Sequence, residues 1–352
     1  MKIDITPNGD SDALDDVAVT ARQAEAGGVD GVAYPERSAD AMQHVTLAAS
    51  ATTRTELMTR VVVAFARSPM TLATQAWSAQ QLSRGRFILG LGSQVRAHVE
   101  RRFSMPWGAP RARMADFVGA LRAIWHSWQA GEPLDYRGEF YQHTLMTPMF
   151  TPSGRWPAPR VMLAVLGSAT AGAADGVMIH PFITGTYLAQ QIRPALDRGA
   201  AARNRSALDR FEISGSPFVA TGQDEEALAA SVAVLRSRLA FYGSTPAYRR
   251  LLDTHGWGDL GDRLHQLSTS SSAGKWVEMA ALIPHEMLGH FAVIGEPAQA
   301  ATTLAHRYGS LLDRCQVNVI GLSSLAERLE FARLIKDAVA RDSTRPSAAS
   351  AR

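Results

Sequence analysis

Residues Arg86–Phe103 read RFILGLGSQVRAHVERRF. Phe87, Ile88, Leu89 and Leu91 have the run of a buried strand, Gly92 and a Ser-Gln pair follow, and Arg96, His98, Glu100, Arg101 and Arg102 come at once. An apolar strand that ends in small residues and hands over directly to a charged helical segment is one βα unit. Two readings of its glycines stand side by side: an ordinary tight turn, or a place where backbone approaches a ligand closely.

The same alternation extends in both directions. Lys2–Thr6 is a first strand, followed by a helix through Ala13–Ala26 that ends at Gly27-Gly28, where glycine suits a helix C-terminus. VDGVAYPE and ELMTRVVVAFAR are the second and third strands, the latter almost continuously apolar, as a sheet covered on both faces requires. Ser68 and Pro69 have the N-cap and first-turn chemistry of the next helix. Met114, Phe117, Val118, Leu121, Ile124, Trp125 and Trp128 recur at three and four, one buried helical stripe. Tyr136–Pro159 interrupts the pattern as a hairpin-like excursion, and Pro246–Pro284 as a helical, serine-rich insertion in which Ser268–Ala273 has the composition of a mobile lid. RVMLAVLG, DGVMIHPF, FEISGSPFVAT and QVNVIG complete eight strands. Eight βα units without a composition break predict a (β/α)8 TIM barrel over residues 1–340, with insertions after strands 4 and 7 and a disordered tail at 341–352. Barrel strands carry chemistry at their C-terminal ends, so Gly92, Ser93 and Gln94 are expected at the catalytic mouth.

Composition narrows the function. The chain of 352 residues is 46% hydrophobic and 20% charged with a net charge of +3, an ordinary globular balance. Its cations are scattered arginines; Lys2, Lys275 and Lys336 are the only lysines, and no basic block marks nucleic-acid binding. One cysteine, Cys315, excludes an intrachain disulfide. No signal-peptide pattern and no long apolar run appear, which reads as a cytoplasmic protein without a membrane span.

Several familiar motifs fail. In PHEMLGH, His285 and His290 are five apart, so on a helix the second imidazole turns about 140° away from the first, and no metal site is expected. SSSAGK lacks the first glycine and the final Ser/Thr of a phosphate loop. What remains lies at strand ends. LGLGSQ, and AVLGSATAG with Gly167, Ser168 and Ala169, offer backbone N–H groups suited to phosphate, or are ordinary turns. Glu36 and Asp40 follow the second strand, as proton-transfer groups or, for Asp40, as a helix-start acid. Arg96 either attracts an anionic tail or pairs with Glu100.

The run from Val61 to Trp107, with GEFYQHTLMTPMF, ADGVMIHPF and FAVIGEP, resembles the luciferase-like monooxygenase superfamily, and within it the oxidoreductases dependent on a deazaflavin, coenzyme F-420. The resemblance implies a homodimeric TIM barrel that binds F-420, or alternatively FMN, and passes hydride to or from a small organic substrate. It implies cofactor contacts at Gly92, Ser93 and Gln94, phosphate contacts at Gly167, Ser168 and Ala169, and a non-prolyl cis peptide near Ala64 and Phe65 backing the ring. Relatives often carry a histidine where this chain has Ala39, which leaves Glu36 or Asp40 for proton transfer. The segment after the fifth strand also looks shorter than is usual in the family. Those two departures motivate a different alternative, a non-catalytic flavin-binding barrel.

Overall fold

The computed structural model describes residues 1–7, 13–165, 174–201 and 211–343. In chain order, β1 (Lys2–Ile5), α1 (Val17–Ala26), β2 (Gly31–Tyr34), α2 (Ala41–Ala51), β3 (Glu56–Thr59) and β4 (Val62–Val63) lead to α3 (Pro69–Leu82). Then come β5 (Phe87–Gly92), α4 (Arg96–Arg101), α5 (Pro110–Ala130), β6 (Tyr136–Arg137), β7 (Gln142–His143) and β8 (Arg160–Val165). β9 (Gly176–Ile179), α6 (Gly185–Tyr187), α7 (Arg193–Ala201), β10 (Glu212–Gly215), β11 (Phe218–Ala220) and α8 (Glu225–Gly243) follow. The insertion holds α9 (Arg249–Thr254), α10 (Gly258–Thr269) and α11 (Lys275–Ala281), and α12 (His285–Phe291) succeeds it. The chain continues with β12 (Ala292–Ile294), α13 (Pro297–Tyr308), β13 (Arg314–Gln316), β14 (Asn318–Ile320) and α14 (Leu325–Ser343). Residues 341–343, expected in the tail, are the end of α14, whereas 344–352 lie outside the described residues.

The chain divides into two compact units. In the unit formed by Thr6–Met178 and Ala195–Glu212, β2 pairs in parallel with β3, β3 and β4 with β5, and β5 with β8. The register sets Gly31 against Glu56 and Leu91 against Leu163. Ala33, Met58, Ile88, Met162 and Met178 form a buried cluster beneath these strands, with half-buried Val61 packed on it. The helices start where the sequence places their caps: Asp40 accepts from Met42 N at 2.7 Å, and Ser68 from Thr71 N at 3.1 Å ahead of Pro69. The predicted stripe of α5 is buried throughout.

The other unit comprises Met1–Ile5, Ile179–Pro194 and Ile213–Arg352. There β1 and β10 flank β13, all parallel, and β11 lies between β12 and β14 in a second parallel sheet. Asp4 and Arg314 form a two-pronged ion pair of 2.7 and 2.9 Å, with neither side chain exposed. Strand–helix alternation with parallel ladders is the (β/α)8 arrangement the sequence predicts.

Two local expectations are corrected. The first helix starts at Val17 rather than Ala13, because Asp15 and Asp16 favour a helix start over its interior. The third strand is not continuous. It is broken after Thr59 by a non-prolyl cis bond between Arg60 and Val61, resumes as β4, and closes in a 3-10 turn at Ala64–Ala66.

Candidate functional site

β5 carries glycines at 90 and 92 and β8 an alanine at 164 near their C-terminal ends, and packing explains the glycines. β5 runs through both of its glycines, so neither forms the turn that the sequence suggests. A Cβ on Gly90 would stand 2.0 Å from the Thr59 carbonyl oxygen, and the Thr59 hydroxyl both donates to Gly90 O and accepts from Gly90 N. A Cβ on Gly92 would stand 2.6 Å from Val61 Cγ2 and 3.7 Å from Ala164 Cβ. Val61, Gly92 and Ala164 are thus neighbours: Gly92 is buried, Val61 is half-buried on the methionine cluster, and Ala164 is exposed. Ala164 is exposed although both of its neighbours in the strand are buried. An exposed alanine near the C-terminal end of a barrel strand stands where such barrels carry their sites.

Beyond β5, Ser93 is half-buried and Gln94 is exposed, with the left-handed φ of +60° that turns the chain into α4. Ser93 Oγ donates to Gln94 O at 3.1 Å, and Gln94 Oε1 accepts from Val95 N at 3.1 Å. Arg96 Nε donates to both oxygens of Glu100, at 3.0 and 2.9 Å, on an exposed helix face, which raises the Arg96 pKa. Gly167, Ser168 and Ala169 lie outside the described residues.

Glu36 and Asp40 are brought together by Arg67, a residue the sequence reading passed over. Its guanidinium meets Glu36 at 2.7 Å and 3.0 Å and Asp40 at 3.1 Å, with the Arg67 and Glu36 side chains only 13% and 9% exposed. Burial lowers the Arg67 pKa, and the two carboxylates outweigh it to leave the pKa raised. Glu36 also accepts from Val63 N at 2.7 Å, and Asp40 from Met42 N. All four carboxylate oxygens are therefore engaged, and the triad fastens the loop after β2 to the turn after β4. The signal available in sequence was that Arg67 directly follows the apolar run of the third strand and precedes the Ser68-Pro69 helix start.

Ala64 and Phe65 are fully buried, and the cis bond expected near them lies at Arg60–Val61 instead. Arg113 of α5, 7% exposed, lies 4.4 Å over the Phe65 ring, donates to Tyr141 Oη at 2.8 Å and also bonds the Pro106 carbonyl. Trp107 meets Phe65 edge-on at 6.0 Å. One guanidinium therefore ties the turn after β4 to the β6–β7 hairpin.

The excursion is fastened at both legs. Asp116 of α5 accepts from Tyr136 Oη, Phe140 N and Tyr141 N. Gln81 of α3 accepts from Arg155 N and Trp156 N, while Gln80 donates to Pro157 O. Between them, Leu145, Met149 and Phe150 are 77%, 86% and 70% exposed. In the second unit, His180 follows β9 directly. No spacing in the sequence singles it out; its Nδ1 accepts from Phe182 N, and its ring packs on Tyr242 and Tyr248. No described helix is long and apolar enough to cross a membrane.

The strand ends at which Ser93, Gln94 and Ala164 stand are where parallel α/β barrels carry their sites. The chain belongs to the luciferase-like monooxygenase family, whose model matches residues 2–314. An uncharacterized protein of Mycobacterium tuberculosis is 49% identical over 297 residues, covering 82% of this chain and 86% of its own. Among solved structures, the coenzyme F-420-dependent tetrahydromethanopterin reductase of Methanopyrus kandleri matches with a TM-score of 0.72 at 16% identity, over 97% of this chain and 98% of that one. An F-420-dependent secondary alcohol dehydrogenase, solved with an F-420–acetone adduct, matches at a TM-score of 0.70 and 15% identity, over 96% and 98%. At such identities these likenesses establish the fold, a (β/α)8 TIM barrel.

These strand ends suit a flat tricyclic ring of the flavin or deazaflavin kind. Among the described residues, half-buried Val61 and exposed Ala164 are the apolar groups there, with Ser93 and Gln94 directly after β5.

Proposed function

We propose that this chain is an oxidoreductase that uses coenzyme F-420 to pass hydride to or from a small organic substrate. The observation that carries the reading is the exposed Ala164, next to half-buried Val61 and the buried glycine at 92, at the strand ends of a chain of the luciferase-like family. When bound, a deazaflavin supplies two-electron hydride chemistry, and the protein's task is to orient and shield it. Val61, Gly92 and Ala164 would form the floor that seats the ring plane, with Ser93 and Gln94 hydrogen-bonding at its edge. Gly167, Ser168 and Ala169 would hold the phosphate. Ala64 and Phe65 would support the floor from beneath through Arg113 rather than touch the ring. Glu36 and Asp40, both engaged by Arg67, would position the loops around the ring, and Arg96, paired with Glu100, would guide the anionic tail. The aromatic excursion Tyr136–Pro159 favours an apolar or ring-bearing substrate.

The test is a parallel titration of the purified protein with F-420 and FMN, followed by fluorescence, with reduced F-420 then offered to a panel of ketones and enones. Saturable F-420 binding with weak FMN binding supports the reading. FMN binding with reductase-driven oxygen consumption would replace it with a monooxygenase, and folded protein that binds neither would overturn it.

A further inference from the structure

His290 has a partner that sequence spacing conceals. The sequence reading pairs it with His285 and rejects the pair. In the folded chain its imidazole instead lies 5.5 Å, centroid to centroid, from that of His255, thirty-odd residues upstream and just past the end of α9. Trp257 completes a triangle, stacked on His255 at 5.4 Å and edge-on to His290 at 5.4 Å. All three rings belong to the same compact unit.

We propose that His255 and His290 form a binding site for a borderline-soft divalent cation of the zinc type, one that pins the turn between α9 and α10 to α12. The spacing is the first argument. With metal–nitrogen bonds of about 2.0–2.1 Å, two imidazoles sharing one tetrahedral ion hold their centroids roughly 5 Å apart. The observed 5.5 Å needs only a side-chain adjustment. Hard cations, which take oxygen ligands, are disfavoured by ligand type.

The second argument is the environment of His255. Its Nε2 lies 2.8 Å from Thr184 Oγ1, and Thr184 is buried and fixed as the N-cap of α6 through Tyr187 N. A metal-bound histidine usually hands its other ring N–H to such a partner, which sets the tautomer and aims the free nitrogen. With Nε2 held by Thr184, Nδ1 of His255 is the nitrogen that would bind the ion. His290 is exposed. Among the described residues no group of three or more His, Cys, Asp or Glu assembles. Water must therefore complete the coordination shell, which makes this a micromolar clamp rather than a tight structural zinc site. Its consequence is mechanical: a bond across the α9–α10 turn and α12 shortens the free length of the insertion between α8 and α12.

The experiment is calorimetric titration of the full chain with zinc chloride, alongside nickel titration read by tryptophan fluorescence and a thermal scan with and without zinc. One ion per chain is expected, with a raised thermal midpoint and quenching by nickel. His290→Ala and His255→Gln should each abolish the saturable heat, and Thr184→Val should weaken it roughly tenfold. His285→Ala should change nothing. Trp257→Phe should retain the stoichiometry and lose the quenching. Both His290 and His285 are exposed, so these variants fold regardless of the outcome. Unchanged zinc binding in the His290 and His255 variants, loss of it in His285→Ala, or no binding by the folded protein would each overturn the proposal.

Discussion

Replacing Gly92 with alanine tests the cofactor floor directly. The new methyl group would sit 2.6 Å from Val61 Cγ2, about 1 Å inside an ordinary carbon–carbon contact. Val61 is half-buried against the methionine cluster and cannot retreat into it, so it must rise toward the open side. Overpacking of this kind costs about 1–3 kcal/mol of stability. A ring resting on the floor would be lifted with it. About 14 ring atoms gaining 0.1–0.2 kcal/mol each lose a quarter to a half of that for a gap of 0.5–1 Å, or about 0.4–1.4 kcal/mol, roughly two- to tenfold in affinity. Fluorescence titration with F-420 and urea unfolding would measure both effects. Ala164→Leu is the companion variant: its side chain is exposed, so stability should hold within about 0.5 kcal/mol while ring affinity falls more steeply. If both variants bound the cofactor as tightly as the parent chain, the ring would not lie on this floor.

Asp4→Asn should cost about 3–5 kcal/mol, because it takes a fully buried carboxylate away from the equally buried guanidinium of Arg314; a urea midpoint shift worth less than about 1 kcal/mol would refute this. Burial raises the pKa of Glu25, but three backbone N–H groups at Thr53, Arg54 and Thr55 with the Thr53 hydroxyl outweigh it and bring the carboxyl down to about 2. A depressed pKa gives stability that is full above the ordinary value near 4.5 and is lost as pH falls toward 2. Discounted for its partial exposure, Glu25→Gln should cost about 1–2 kcal/mol at pH 7 and flatten the acid limb of the stability curve. Arg113→Met should leave the barrel folded but loosen Phe65 and Tyr141 together, seen as faster amide exchange in both the turn at Ala64–Ala66 and the β6–β7 hairpin. Exchange confined to one of them would show that the guanidinium does not couple the two.

The parallel barrel was legible because its evidence is local: caps at Asp40 and Ser68, the stripe of α5, and apolar strands ended by small residues. What escaped depends on distant neighbours. Gly90 and Gly92 read as a turn, yet they are strand residues made small by Thr59 and Val61, some thirty positions away in sequence. The break at Arg60–Val61 carries no proline or glycine to announce it. Arg67 looked like one scattered arginine among many until folding set it between Glu36 and Asp40. Asp40 was read both as an acid for chemistry and as a helix start; the second is visible in its bond to Met42 N.

The fastening of the excursion at Asp116 and Gln81, with bare hydrophobic residues between, has an evolutionary reading. Anchors and tip are separate parts of the sequence: changes at Asp116 or Gln81 would undo the attachment, whereas Leu145, Met149 and Phe150 contribute little to it. The tip can therefore be exchanged like a cassette. Descendants of this chain could rewrite this handful of exposed positions while the barrel continues to fold from unchanged instructions.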